Sequence, residues 1–193
     1  GKVNNGFMGT GYFKDWDSNI SLGLNGASGR SNNVTFRGGF NAHYEDKEHR
    51  WNFKSSYYYG AEGADGAAFD GNKASDNQAN VTLVKDWFFN GSPWFAYAST
   101  VFDIDQFKDW NYRLQISAGP GYQFFKTDTW EVVGRAGLTG VFEFQKDTID
   151  TTTGGIYQDN AQNLDMMIGF DAKWHITAQQ RFIISNYMYP SLT

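Results

Sequence analysis

Side chains able to perform acid–base, nucleophilic or metal chemistry are sparse in this sequence. It contains no cysteine, which excludes disulfides, thiolate metal sites and cysteine nucleophiles. The three histidines, His43, His49 and His175, belong to no recognisable catalytic motif. Glu131 and Glu143 fall in one extended segment, and at about 3.3 Å per residue they are too far apart to act as a carboxylate pair. We therefore predict no enzymatic activity, no metal site and no cofactor.

Two acidic, glycine-rich segments are the remaining places where ions could bind. They cover Glu62–Asn77 and Asp147–Asp159. Divalent ions that bridge lipopolysaccharide would suit such carboxylates, but neither segment has the spaced ligands of a calcium loop. We interpret both segments as solvated loops.

The elements that position the other charged residues are long alternating segments, and Asp109–Gln145 shows the pattern best. One face of its first half carries Tyr112, Leu114, Ile116, Ala118, Pro120, Tyr122 and Phe124, with polar residues or glycine between them. After a turn at Lys126–Asp128 the alternation resumes from Trp130 to Phe144. A period of two predicts a β-hairpin. Gly119 and Gly121 lie inside its first strand, where glycine permits a close approach or a bend.

The length of these strands indicates the class of protein. Strands of soluble domains usually have about five or six residues. In each strand of this hairpin, apolar and polar residues alternate over roughly fifteen residues. A tilted strand crosses a bilayer in about 9–11 residues, and membrane barrels alternate apolar residues outside with polar residues inside. The hairpin therefore predicts a transmembrane β-barrel.

Composition is compatible with this prediction. The chain has 193 residues, enough for one domain, and 18% of them are aromatic. Mean hydropathy is −0.55 and no apolar run approaches the roughly 18 residues of a membrane helix, which excludes a helical membrane protein. A formal net charge of −5 argues against a nucleic-acid partner, because phosphate binding needs a basic face.

Nine strands are predicted along the chain, all antiparallel and in up-and-down order. They cover about Asp17–Ala27, Val34–Tyr44, Trp51–Tyr59, Asn72–Phe88, Trp94–Gln106, Tyr112–Phe124, Trp130–Gln145, Leu164–Ile176 and Arg181–Tyr189. The connections after even-numbered strands are short, whereas the long loops Ala61–Gly71 and Lys146–Asp159 follow odd-numbered strands. This parity is typical of membrane barrels, whose periplasmic turns are short. We expect a periplasmic lead-in at residues 1–15 and a single barrel domain at residues 16–193.

Tryptophan placement gives a second indication. Six tryptophans lie beside the lead-in or a short turn: Trp16, Trp51, Trp87, Trp94, Trp130 and Trp174. Indoles prefer the headgroup layer of a membrane, so these six predict an aromatic girdle on the periplasmic side. Candidates for the opposite girdle are Tyr57, Tyr59, Tyr112, Phe142, Phe144 and Tyr187. Core filling in a soluble barrel would have no reason to choose one end of the sheet.

Four segments, together with Trp16, resemble a known family: SLGLNGASGRSN, RWNFKSSYYYG, DWFF and YRLQISAGPGYQFF. They are similar to the YdiY-like family of salt-induced outer-membrane proteins, a domain of unknown function, over most of Trp16–Thr193. In relatives the closing Tyr189–Leu192 precedes further strands. Bacterial barrels have an even number of strands, so we expect about 10–12 strands in the complete barrel, with the native C-terminal strand or strands missing here. The resemblance implies a bacterial outer-membrane location and a barrel fold, and it carries over no catalytic residue.

The charged residues of the alternating segments are then expected to face the lumen, because Arg or Lys facing lipid costs about 2–4 kcal/mol at the midplane. The predicted lumen network comprises Arg37, Lys54, Arg113, Glu131, Arg135, Glu143, Asp165, Asp171 and Lys173, with His43 and His175 on the same face. Three functions stay open. The first is a structural or envelope-assembly barrel whose lumen is plugged by paired charges, in contact with outer-membrane lipid, lipopolysaccharide and other envelope proteins. The second is a narrow passive pore, and the third is a soluble ligand-binding barrel.

Overall fold

The regular structure of this protein is entirely β-strand wherever the chain is described. The computed structural model describes residues 15–27, 31–64, 73–108, 110–146, 148–149, 156–157, 160–176 and 180–192. Its strands are β1 (Asp17–Ala27), β2 (Ser31–Glu45), β3 (His49–Ala64), β4 (Lys73–Phe88), β5 (Trp94–Asp105), β6 (Trp110–Lys126), β7 (Trp130–Gln145), β8 (Thr148–Ile149), β9 (Ile156–Tyr157), β10 (Ala161–His175) and β11 (Arg181–Met188). These bounds leave the predicted lead-in, apart from Asp15, outside the described residues.

Nine of these strands form one antiparallel sheet in chain order, from β1 through β7 to β10 and β11. Each strand of this sheet pairs with the next of the nine along the chain, so that β7 pairs with β10, which confirms the prediction of an all-β, up-and-down fold of nine strands. The segment predicted as a plain loop at 146–159 contains β8 and β9, which pair as a separate two-stranded hairpin. That part of the loop prediction was wrong, because strands of two residues are too short to produce an alternation in the sequence.

Short turns collect at one end of the sheet, which we call the short-turn end. They connect β2 to β3, β4 to β5, β6 to β7 and β10 to β11. In the first of them the Asp46 carboxylate accepts hydrogen bonds from the amides of Glu48 and His49, at 2.8 and 2.7 Å. In the second, Gly91 has a φ of 72°, a left-handed conformation that glycine adopts without strain. The opposite end carries the two long connections, which follow β3 and β7, as well as the short ones that follow β1 and β5, and is called the long-loop end.

The sheet is strongly rolled. On a flat sheet β3 and β7 would lie about 19 Å apart, because neighbouring strands are spaced about 4.8 Å. Yet Arg50 of β3 reaches Glu131 of β7 at 2.9 Å, and Lys126 of β6 reaches Glu45 of β2 at 2.6 Å. Such contacts are possible only across the concave face of a curled sheet. Its edges, β1 and β11, do not pair with each other among the described residues, so the rolled sheet is open.

Apolar side chains cover the outside of the roll. Leu22 is 74% exposed, and Leu138 and Phe124 are 55% and 54% exposed. Each belongs to the alternating set that the sequence placed opposite the charges. No helix long and apolar enough to cross a membrane occurs in the part of the chain that the structure describes.

A small apolar cluster fills part of the concave face near the short-turn end. It consists of Phe95, Tyr97, Val133 and Met167, each at most 3% exposed. Phe95 lies opposite Gly121 in the β5–β6 ladder, and a Cβ at Gly121 would overlap the Phe95 ring. The absence of a side chain at Gly121 therefore makes room for the Phe95 ring, as the close approach predicted for a glycine inside this strand implies.

Candidate functional site

Strand alternation places a charge inside the roll beside four of the tryptophans outside it. Near the short-turn end the sequence pairs are Arg50–Trp51, Asp86–Trp87, Trp130–Glu131 and Lys173–Trp174. Successive side chains of a strand point to opposite faces, so the four charges converge on the concave face at the level of the outer indoles. They form the centre of a cluster that we call the Asp86 network, made of Arg50, Asp86, Glu131, Arg135, Asp171, Lys173 and Tyr187.

Asp86 is the centre of this network and is fully buried. Its Oδ2 accepts hydrogen bonds from Arg50, with Nη2 at 2.6 Å and Nε at 2.8 Å, and from Arg135 Nη2 at 2.8 Å. Its Oδ1 has no hydrogen-bond partner among the described residues. One carboxylate thus holds two buried guanidinium groups that come from strands on opposite sides of the roll.

The other carboxylates extend the network towards β10 and β11. Glu131 accepts from Arg50 Nη1 at 2.9 Å and from Lys173 Nζ at 3.0 Å, the latter across a directly paired position of β7 and β10. Asp171 accepts from Arg135 and from the Tyr187 hydroxyl. Buried ion pairs are costly unless their hydrogen bonds are satisfied, and here almost every charge has at least two partners.

Aromatic rings pack against the guanidinium groups of the two arginines. The Arg50 guanidinium carbon lies 5.1 Å from the centre of the Phe88 ring, and that of Arg135 lies 5.4 Å from the Phe95 ring. Both distances are within the range of cation–π interactions. The network therefore rests on the apolar cluster, and charges and rings together fill the short-turn end of the concave face.

A cavity of about 380 Å³ lies against the network on the concave face. Arg50, Arg135 and Lys173 contribute to one side, and Lys54, Tyr97 and Tyr189 are among its other lining residues. A second cavity of about 360 Å³ lies towards the long-loop end, with Arg37, Asp103 and Asp105 in its lining. Both volumes are within the range of about 300–1,000 Å³ that small-molecule sites occupy.

The nine residues predicted as one lumen network do not form one. Glu131, Arg135, Asp171 and Lys173 join the Asp86 network. Arg113 and Glu143 form a separate pair towards the long-loop end, with Nε 3.3 Å from Oε1 but without hydrogen-bond alignment. The remaining three, Arg37, Lys54 and Asp165, make no ion pair with a described residue; Arg37 instead lies over the Tyr58 ring at 5.1 Å.

The six predicted girdle tryptophans all lie towards the short-turn end. Trp130 stacks on Trp174 with ring centres 5.2 Å apart, and Trp94 meets Tyr122 edge-on at 4.9 Å. Trp16 stacks on Tyr44, while the Lys85 ammonium lies 4.2 Å from the Trp51 ring and 4.7 Å from the Trp87 ring. The sequence reasoning did not single out Lys85.

The sequence reasoning also missed Arg50 and Asp86, the best-buried charges of the network. The signal that could have found them is that each directly precedes a tryptophan of the short-turn end, Trp51 and Trp87. Tyr187 was wrongly assigned to the outer girdle: it pairs with Gly169 in the β10–β11 ladder, and its hydroxyl binds Asp171 on the concave face. Apolar residues on both sides of β11 leave its facing ambiguous in sequence.

Metal chemistry finds little support in this site. Among the described residues, no three His, Asp or Glu side chains lie together as a metal ion would require. The arrangement instead pairs three cations with three carboxylates and fills the short-turn end of the concave face.

Comparison with known proteins identifies the family of this chain. No curated protein matches the chain. A family model matches residues 20–193, and its family is described as "Protein of unknown function, DUF481". This match agrees with the YdiY-like resemblance of the sequence. Since it spans most of the chain, including most of β1 and all the other strands of the rolled sheet, this protein belongs to the DUF481 family.

Proposed function

We propose that this protein is a non-enzymatic β-barrel of a bacterial outer membrane, with its N-terminus in the periplasm and a structural or envelope-assembly role. The Asp86 network acts as a plug at its periplasmic, short-turn end. Its partners are outer-membrane lipid and lipopolysaccharide, together with other envelope proteins that pack on its aromatic face. It requires no cofactor.

The observation that carries this proposal is the exposure of a continuous alternating apolar set outside the roll. In β6, β7 and β10 that set includes Ile116 at 46%, Leu138 at 55% and Phe170 at 42% exposed. Removing apolar surface from water is worth about 25 cal/mol per Å², so the outer face favours a lipid environment. A soluble ligand-binding barrel would turn the same set inwards, which makes that alternative the weaker one.

The plug is supported by burial at one end of the concave face. Asp86 is fully buried, while Arg50 is 3% and Phe95 is 1% exposed. A narrow passive pore is the second candidate function, favoured by the two cavities of about 380 and 360 Å³ along the same face. The two functions differ in whether the network blocks ions or selects them.

A charge placed on the outer face tests the membrane assignment. Leu138→Arg, near the middle of β7, is expected to lower the free energy of unfolding from phospholipid vesicles by about 2–4 kcal/mol. Phe124→Arg, close to the β6–β7 turn, is the matched control and should cost about 0–1 kcal/mol, as charges near the interface do. Equal and small effects at both positions, together with a protein that stays monomeric without detergent, would reject the membrane barrel.

Conductance of the full-length protein in a planar bilayer separates plug from pore. If the network is a plug, the wild-type protein should show no conductance. The Glu131→Ala variant should show stable conductance steps, because it lacks the carboxylate that pairs with Arg50 and Lys173. Stable steps in the wild-type protein would favour the pore instead.

A further inference from the structure

The cavity of about 380 Å³ contains one positive charge that the network does not neutralise. Its three cations on the network side, Arg50, Arg135 and Lys173, are matched by the three carboxylates of the Asp86 network. Lys54 lines the same cavity in addition to them. The cavity therefore carries a net positive charge in a chain whose formal net charge is −5.

Lys54 lies among neutral neighbours. Its cross-strand partners are Asn41 in β2 and Thr82 in β4, and neither can neutralise an ammonium group. The lysine makes no ion pair with any residue that the structure describes. Lys173 and Lys126 differ from it, because they contact Glu131 at 3.0 Å and Glu45 at 2.6 Å.

Two further polar groups at the cavity have incomplete hydrogen bonding. Arg135 is 9% exposed in its side chain, and its Nε is buried with no hydrogen-bond partner among the described residues. Tyr97 is 2% exposed, and its hydroxyl contacts only the Met167 sulfur, at 3.9 Å, a weak acceptor. Buried polar groups normally have a good partner, so the Tyr97 hydroxyl favours a ligand that offers oxygen atoms.

Hydroxyl groups contribute to the rest of the wall. Ser99, Ser185 and Tyr189 all contribute to it, alongside the aliphatic side chains of Val84 and Val101. Hydroxyls both donate and accept hydrogen bonds, which suits a polyol, whereas the ammonium group of Lys54 suits a phosphate or carboxylate.

From this combination we propose that the cavity is a binding site for a small phosphorylated sugar, with the phosphate held by Lys54 and the sugar hydroxyls held by the Tyr97 and serine wall. The site depends on the concave face of the rolled sheet and not on where the protein resides. It can therefore fail while the membrane assignment stands, and the reverse also holds.

Titration calorimetry on the full chain, folded in an uncharged detergent, tests the site with glucose 6-phosphate as the probe. We expect saturable binding that Lys54→Gln weakens about ten- to hundredfold, since a hydrogen bond to a charged group is lost. Tyr97→Phe should weaken it about two- to tenfold, as expected for one neutral hydrogen bond. Lys47→Gln, in the exposed β2–β3 turn, is the matched control and should leave binding unchanged.

Glucose and inorganic phosphate, used as separate probes, test the sugar contacts and the phosphate contact one at a time. Both should bind more weakly than glucose 6-phosphate, because each engages only one set of groups. Absence of saturable binding, or an equal effect of Lys54→Gln and Lys47→Gln, would overturn the site. Inorganic phosphate binding as tightly as glucose 6-phosphate would overturn its sugar half. Lys54 makes no ion pair with the described residues, so its substitution is expected to leave the thermal unfolding midpoint unchanged, which serves as the folding check.

Discussion

The two ends of the concave face use the same alternation of charges and produce different structures. At the short-turn end, seven side chains from five strands join the Asp86 network, whose central carboxylate is fully buried. Towards the long-loop end, Arg113 and Glu143 form a single pair at 3.3 Å, with side chains 35% and 23% exposed. Alternation thus decides which way a charge faces, whereas the closeness of opposing strands decides whether it is paired and buried.

The middle of the concave face, between these two ends, has a neutral hydrogen bond instead of an ion pair. There Ser117 and Thr139 share a hydrogen bond of 2.7 Å across β6 and β7, and both are buried. A neutral hydrogen bond of this kind needs no counter-charge, and its net contribution is about 0.5–1.5 kcal/mol because the same groups bond to water in the unfolded chain. Ion pairing is therefore concentrated where the plug is proposed.

Removing the central carboxylate is expected to have the largest effect. Asp86→Ala leaves Arg50 and Arg135 buried without their shared partner, and breaking a buried pair in this way costs about 3–5 kcal/mol. The free energy of unfolding in urea, measured with the protein folded in vesicles, gives the value.

Asp103→Ala is the matched control at the other end. Asp103 accepts one hydrogen bond from Asn80 at 2.6 Å and makes no ion pair with a described residue, so its loss should cost about 1.5–3 kcal/mol, as for one hydrogen bond to a charged group. Equal losses for Asp86→Ala and Asp103→Ala would remove the distinction between the two ends.

The pair towards the long-loop end should be worth much less. Glu143→Gln removes the charge next to Arg113 while keeping the shape of the side chain, and a partly exposed pair contributes about 0–1 kcal/mol. A double-mutant cycle with Arg113→Gln, in the same unfolding assay, isolates the coupling. A coupling above about 2 kcal/mol would mean that this end is as tightly paired as the Asp86 network.

The smallest effect concerns the β2–β3 turn at the short-turn end. Hydrogen bonds from the amides of Glu48 and His49, and then from the Tyr44 hydroxyl, lower the pKa of Asp46 below its usual 3.8. A lowered pKa in the folded protein stabilises the turn above the unfolded pKa, and this stabilisation is lost as the pH falls through the folded pKa.

Hydrogen exchange of the Glu48 and His49 amides measures this directly. Both amides should be protected at neutral pH and lose protection only below about pH 3.8. In the Asp46→Asn variant, the protection of these two amides should no longer depend on pH in this range. Unchanged pH dependence in that variant would assign the protection to another group.

Sequence reasoning recovered the strands because their signal is local. The predicted Asp17–Ala27 agrees with β1 at both ends, and the predicted fourth strand begins one residue before β4. It failed where the local signal was weak or absent. Thr148–Ile149 is too short to alternate, and Tyr187 lies in a strand with apolar residues on both sides.

The site was predicted less well than the fold. Four of the nine predicted lumen charges belong to the Asp86 network, while Arg50 and Asp86 were not among those predicted. Arg50 follows a turn directly, so the alternation of β3 was recognised only from Trp51 onwards. Asp86 lies at the far end of a strand whose pattern begins poorly.

The strands, their order and the face that most side chains take follow from the amino-acid sequence, because a period of two reflects the geometry of an extended backbone. Which charges meet depends on the tertiary structure. Arg50, Asp86 and Arg135 come from β3, β4 and β7, and their contact depends on how tightly the sheet rolls. That curvature arises from twist and packing summed over many strands, and no single segment of the sequence contains it.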